Sequence, residues 1–385
     1  MIFDTTALVE SLYIHWPFCP YKCHFCPFVA LAGHDNFMSE YHRVLLQEIE
    51  QFARAHKGNT PIQTVFFGGG TPSTYPIELF SEMFEKLRAC FIFAQDAEIS
   101  LEVNPGTVTE EKLTTWKECG VNRLSIGVQS LNSQALKKLN RHQSAADVFF
   151  LLQKAQTLFN TISVDIIIGL PEVTQQDWQE LITTLVTWPI QHVSMYFLTV
   201  HEDTQLYFGV QQQKVLLPCE EATLDLYYWT IEQFRLHGLY QYEVSNFARP
   251  GYQSRHNSAY WQRKPYKGFG LGACSFDGKA RFQNQKNLMR YLELGKEFEQ
   301  YYFSEELTDK QAWLETLMLG LRQTQGVPLA WLTQTINNCA QKQLFEMIEI
   351  LKAEQLMIQQ GHQLSLTLRG LAVVNEIILK LSHYY

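Results

Sequence analysis

From residue 11 to about 198 the chain alternates short runs of β-branched and aromatic residues with longer amphipathic segments. The strand-like runs are SLYIHW (11–16), QTVFFGG (63–69), AEISLEV (97–103), VNRLSIGV (121–128), TISVDIIIGL (161–170) and QHVSMYFL (191–198). Between them, apolar residues recur at helical spacing. In 36–52, Phe37, Tyr41, Val44, Leu45, Ile49 and Phe52 share one face, and Glu40, Arg43, Gln47 and Glu48 take the other. Segments 76–90, 109–119, 144–158 and 174–187 repeat this pattern. After residue 200 the alternation ends. A helical stretch at 219–237 leads into 240–276, dense in aromatics, glycine and polar side chains. From about 286 the pattern is mainly helical, clearest at 309–323 and 340–357.

Repeated strand-then-helix units predict an α/β fold: a parallel sheet with right-handed crossovers, either open and doubly wound or a barrel. Chemistry then belongs on the loops after the strands' C-terminal ends. The residues at those ends fit that rule: three cysteines after the first strand, GGGTP after the second, Glu102 to Gly106 at the third, Gln129-Ser130 at the fourth, Gly169-Leu170-Pro171 at the fifth.

Composition narrows the class. The 385 residues are 46% hydrophobic and 18% charged, as in an ordinary globular protein. A net charge of -8 argues against general nucleic-acid binding, which needs a basic surface. The first ten residues lack the positive segment and apolar core of a signal peptide, and no apolar run nears the ~20 residues of a membrane span. A cytoplasmic protein without an integral membrane segment is therefore expected.

Of the eight cysteines, Cys90, Cys119, Cys219, Cys274 and Cys339 stand singly and read as buried, inert thiols. Cys19, Cys23 and Cys26 do not. The spacing C-x3-C-x2-C lets one loop present three thiolates to a cubane iron-sulfur cluster, leaving one iron without a protein ligand. A structural zinc with His15, His24 or His34 as fourth ligand is the alternative, although zinc sites favour two separated ligand pairs.

The stretch from Tyr13 to Cys26, YIHWPFCPYKCHFC, resembles the radical S-adenosylmethionine superfamily. Within it, the resemblance is to the group that holds oxygen-independent coproporphyrinogen oxidase and heme chaperones. It continues through FFGGGTPS, LEVNPGTVT, GVNRLSIGVQSLN, VDIIIGLP, HVSMYFLTV, YEVSNFARPG, HNSAYW and LTLRGLAVVNEI, and so covers nearly the whole chain. The resemblance implies a partial (β/α)6 barrel with a mainly helical C-terminal domain. Its boundaries are expected at 1–210 for the barrel, 211–285 for an extension carrying HNxxYW, and 286–385 for the C-terminal domain. It also implies a 4Fe-4S cluster on Cys19, Cys23 and Cys26, whose open iron binds the methionine end of S-adenosylmethionine. An electron from the reduced cluster then cleaves the sulfonium. By the same resemblance Tyr13 and Phe25 lie beside S-adenosylmethionine, and Gly70 and Thr71 face its methionine end, where missing Cβ atoms allow close approach. Glu102, Gln129, Arg141 and Asp165 match further positions that bind it.

The oxidase pattern has a fourth cysteine two residues after the third; here that position is Phe28. The oxidase also carries a longer segment ahead of its first strand. His256, in HNSAYW, matches a motif of the heme chaperones whose histidine is proposed to bind heme iron, and imidazole is a common axial ligand. Two departures from that group are Cys274 where histidine is usual and Pro27 where aspartate is. The resemblance thus implies heme binding and delivery to acceptor hemoproteins such as membrane-bound respiratory cytochromes, and leaves a homodimer open. A radical enzyme acting on a tetrapyrrole, such as one decarboxylating the propionates of coproporphyrinogen III, is the alternative.

Overall fold

A computed structural model describes residues 2–58, 60–293, 302–333 and 338–384. The six predicted strands form β1 (Ser11–Trp16), β2 (Ile62–Gly69), β3 (Phe93–Val103), β4 (Arg123–Gln129), β5 (Thr161–Ile168) and β6 (His192–Phe197). Each is hydrogen-bonded in parallel to the next. The connecting helices include α1 (Met38–Ala55), α2 (Ile77–Cys90), α3 (Glu110–Cys119), α4 (Ala145–Ala155) and α5 (Gln175–Leu185). Thr109, Ser144 and Thr174 cap the last three with side-chain hydroxyls, satisfying a backbone N–H that the helix itself leaves unpaired.

Along these strands polar and apolar residues alternate. Leu12, Ile14 and Trp16 of β1, Leu124, Ile126 and Val128 of β4, and Val164, Ile166 and Ile168 of β5 are buried in the large core shared with the helices. The intervening positions, such as Tyr13, Ser125, Gly127 and Asp165, turn to the inner face. Period-two alternation is unusual in a parallel sheet covered on both sides, where both faces are normally apolar.

The aromatic segment after residue 240 extends the sheet at both edges. Antiparallel β7 (Tyr240–Gln241) and β8 (Asn246–Ala248) join beside β6. At the other edge β9 (Tyr266–Phe269) runs parallel to β1, followed by antiparallel β10 (Cys274–Phe276), β11 (Ala280–Gln283) and β12 (Phe303–Glu306). The order is β12-β11-β10-β9-β1-β2-β3-β4-β5-β6-β8-β7, and among the described residues the two ends do not pair. The barrel is open, as a partial barrel requires.

Glu48 departs from its expected place on the solvent face of α1. It is buried beneath the sheet extension, accepting hydrogen bonds from Gly270 N (2.9 Å), Asn284 Nδ2 (2.7 Å) and Tyr291 Oη (2.7 Å), with Lys267 Nζ at 3.9 Å. A second core gathers Trp313, Leu317, Leu344, Ile348, Leu364 and Ile377. That region is not helical throughout: β13 (Val327–Pro328), β14 (Met357–Gln360) and β15 (Gln363–Leu366) form a small antiparallel sheet. Among the described residues no helix is long and apolar enough to cross a membrane.

Candidate functional site

The strands' C-terminal ends surround a cavity of about 430 Å³. Ten of the twelve residues assigned above to cofactors line it: Cys19, Cys23, Phe25 and Cys26 from the first loop, Gly70 and Thr71 from the second, and Glu102, Gln129, Arg141 and Asp165 from the remaining strands and their loops. Tyr13 and His256 are not among the lining residues.

The cysteine loop is held from three sides. Gly70 N donates to Trp16 O (2.8 Å), Thr71 N to Phe18 O (2.9 Å), and the Thr71 hydroxyl to Cys19 Sγ (3.2 Å). On the opposite side His24 N donates to Leu139 O (2.9 Å), Asn140 Nδ2 to Lys22 O (2.9 Å), and Tyr21 Oη to His142 O (3.0 Å). From above, Leu206 N donates to His24 O (2.9 Å). Thus the thiols project from a loop whose backbone is fixed on both flanks.

The glycines of GGGTP serve this packing. A Cβ on Gly68 would lie 2.9 Å from the Tyr13 ring, and one on Gly70 would lie 2.3 Å from the Pro17 carbonyl oxygen. Gly69 has φ +115 and a Cβ there would meet the His15 ring at 2.6 Å. The missing Cβ of Gly70 therefore lets two backbones of the protein meet, a packing reason for glycine that stands beside the expected approach of a cofactor, since Gly70 also lines the cavity.

Glu102 accepts a hydrogen bond from Gly69 N (3.2 Å). Burial, and then the neighbouring Asp165, push its carboxyl up to about 8. Asp165 is also raised by burial, opposed by hydroxyl hydrogen bonds that include Ser125 Oγ at 2.9 Å. Arg141 lies across β4, donating from Nη2 to Gly127 O (2.6 Å). A Cβ on Gly127 would come within 2.9 Å of that same nitrogen and of Gln129 Nε2, so a side chain there would displace both side-chain ends from their present positions. Gln129 sits at a bulge with φ 64, which re-aims the end of β4. Burial also raises all three thiols, Cys19 to about 11, with the Thr71 hydroxyl opposing that rise. Among the described residues no three His, Cys, Asp or Glu side chains converge as a single-ion site.

Tyr13 stands on β1 below the cavity, its hydroxyl 3.0 Å from His15 Nδ1, while His15 Nε2 meets Val29 O at 2.9 Å. His256 is more remote. It is 1% exposed on the helix Arg255–Trp261, with Nδ1 at 2.8 Å from Thr64 Oγ1 and Nε2 at 2.8 Å from Tyr260 Oη. Both ring nitrogens are engaged, and burial keeps the imidazole neutral, its pKa near 3. The expectation that His256 ligates heme iron does not fit this geometry, because iron needs a free nitrogen lone pair. Two single cysteines also differ from expectation, since Cys219 and Cys274 are exposed; the side chain of Cys339 lies outside the described residues. Sequence reasoning missed Tyr21, Asn104, Ser125, Tyr196 and His201 as lining residues. For Ser125 and Tyr196 the signal was available, since they continue the polar alternation of β4 and β6.

A profile of the Radical SAM superfamily matches residues 13–185, and one of the HemN C-terminal domain matches 307–373. The heme chaperone HemW of Bacillus subtilis is 34% identical over 322 residues, spanning 83% of this chain and 85% of that protein. HemW of a Synechocystis species is 36% identical over 338 residues, 85% of this chain and 81% of that one. The chain belongs to the HemW family. HemW of Escherichia coli is 34% identical over 284 residues, 72% of each chain. Coproporphyrinogen III oxidase (HemN) of Escherichia coli, a radical SAM enzyme, shares the fold: TM-score 0.85 at 24% identity, covering 99% of this chain and 91% of that one.

Proposed function

We propose that this chain is a heme chaperone which holds a 4Fe-4S cluster on Cys19, Cys23 and Cys26, binds S-adenosylmethionine in the adjoining cavity, and delivers heme in the cytoplasm to acceptor hemoproteins such as respiratory cytochromes. The observation that carries the cofactor half is convergence: residues from several successive strands and loops, spread from 19 to 165, line one cavity beside three thiols. The donor set fits the cluster. Three cysteines on one ordered loop can each serve a different iron, and the Thr71 hydroxyl aimed at Cys19 Sγ stabilises the thiolate that ligation requires. A cluster held by Cys19, Cys23 and Cys26 would supply one-electron reducing chemistry to a sulfonium bound in the adjoining cavity.

The chain's own residues provide the rest. Glu102 and Asp165 offer carboxylate acceptors to amino or hydroxyl groups of the ligand, Arg141 supplies a cation, and Phe25 an apolar wall. The heme half rests on the HemW relatives and on Phe28, which occupies the position of the oxidase's fourth cysteine.

One reconstituted sample tests the reading. Under anaerobic conditions, purified protein is titrated with ferric heme and followed by its Soret band, then mixed with an acceptor apoprotein. Stable binding and transfer are expected; absence of stable heme binding overturns the chaperone assignment. Coproporphyrinogen is added to the same preparation, and 5'-deoxyadenosine formed in step with its decarboxylation would favour a radical oxidase instead.

A further inference from the structure

The cavity opens through a rim that carries large aromatic side chains in water. Phe28 is 64% exposed and Phe197 46%, and both line the cavity together with Tyr196 and Leu198. Aromatics exposed together at the mouth of a site mark a surface kept for a ligand, because their hydration is unfavourable until something flat and apolar covers them. His201 lines the same rim and is exposed, and among the described residues neither of its ring nitrogens has a hydrogen-bond partner. By contrast, His15, His42, His192 and His256 have both nitrogens engaged.

His201 is also presented by an ordered turn. Its carbonyl accepts hydrogen bonds from Thr204 N (3.0 Å) and Thr204 Oγ1 (2.6 Å), and the turn leads directly to Leu206, which is bonded to the cysteine loop at His24. We propose that His201 is the axial ligand of heme iron, with the macrocycle lying against Phe28 and Phe197 at the cavity mouth. Charge then sets its orientation. Glu202 and Asp203 on the same turn repel the propionates, whereas Lys22 on the cysteine loop and Arg141 attract them. Heme so placed meets the same loop that carries the three thiols, so cargo and cofactors share one opening. This inference rests on the heme-chaperone reading above.

Ferric heme titration of the full chain tests it, comparing wild type with His201→Ala, His201→Cys and His256→Gln, each checked for folding by circular dichroism. His201→Ala should weaken binding by about tenfold or more and lose the histidine-ligated spectrum, with added imidazole restoring it. His201→Cys should shift the Soret band toward thiolate ligation, and His256→Gln should keep the wild-type spectrum. An unchanged spectrum and affinity in both His201 variants overturns the inference while leaving heme binding intact. Failure of the wild type to bind heme overturns the underlying reading as well.

Discussion

Gly70→Ala separates two explanations of the GGGTP loop. A methyl at residue 70 would lie 2.3 Å from the Pro17 carbonyl oxygen, 2.6 Å from its carbon and 2.9 Å from Phe18 O. An ordinary carbon-oxygen contact is about 3.3 Å, so the first overlap is roughly 1 Å. All three atoms are backbone, and the contact is flanked by the bonds Gly70 N to Trp16 O and Thr71 N to Phe18 O. Relief requires the two loops to part. Losing two such bonds costs ~1 kcal/mol each and overpacking ~1–3 kcal/mol, together roughly 3–5 kcal/mol. The same movement carries Thr71 away from Cys19. The variant should therefore show a lowered thermal midpoint and, after anaerobic reconstitution, fewer iron and sulfide ions per chain than wild type. If instead it loads a full cluster with unchanged stability and loses only S-adenosylmethionine affinity, the missing Cβ serves the ligand, and the packing argument fails.

Other consequences concern stability and ligation. Glu243 is fully buried, and its carboxyl is raised by burial to about 7 from an ordinary 4.5, with hydrogen bonds from Ser245 N and Asn246 opposing the rise. A raised carboxyl favours the folded state's proton, so the Glu243 contribution to stability should fall as pH rises from 4.5 through 7, by ~3 kcal/mol, and then level off. Thermal scans across that range should show the slope in wild type and a smaller one in Glu243→Gln. Replacing Glu48 with alanine removes the carboxylate 3.9 Å from Lys267 Nζ and the acceptor of three hydrogen bonds, a loss of about 3–5 kcal/mol for a disrupted buried charge network. Glu48→Gln should lose less, and equal midpoints for the two variants would contradict this account. Cys26→Ser should keep the apo-protein's circular dichroism and fail to assemble a normal cluster by absorbance and iron content; full loading would remove Cys26 from the ligand set.

Local periodicity carried much of the fold. The six parallel strands and the helices between them lie close to their predicted spans, because each carries an apolar face, and α3, α4 and α5 a capping residue as well, that can be read within its own segment. Segment 240–276 was opaque for the opposite reason. Its strands are two to four residues long and join opposite edges of the sheet, so their pairing depends on neighbours far away in sequence. Glu48 followed the helical pattern yet is buried by Gly270, Asn284 and Tyr291, more than two hundred residues on. The strands at 357–366 were missed because several of their residues are polar and exposed, which left too little apolar periodicity to register.

Hydrogen-bond satisfaction explains why the ligand cavity lies at one end of the sheet's inner face. Toward the strands' N-terminal ends most of the polar side chains answer one another, Ser100 Oγ and Asn246 Oδ1 being exceptions. Thr64 bonds Ser11 and His256, Ser163 meets His192, which meets Tyr242, and Glu98 accepts from the backbone of Arg255 and His256 with Arg123 at 3.9 Å. The helix Arg255–Trp261 thereby plugs that end without needing a ligand. Toward the C-terminal ends the balance is different. Glu102 has one hydrogen-bond donor, Gly69 N, among the described residues, and it faces the charge of Asp165 across open space. Two carboxyls in such a setting are costly to ionise together, and a ligand carrying an ammonium or hydroxyl groups relieves both the missing donors and the repulsion. The inner face is thus largely polar for two reasons: one end is mostly satisfied within the protein by the plug, and the other keeps carboxyls that the proposed donor-rich ligand would satisfy beside the three thiols.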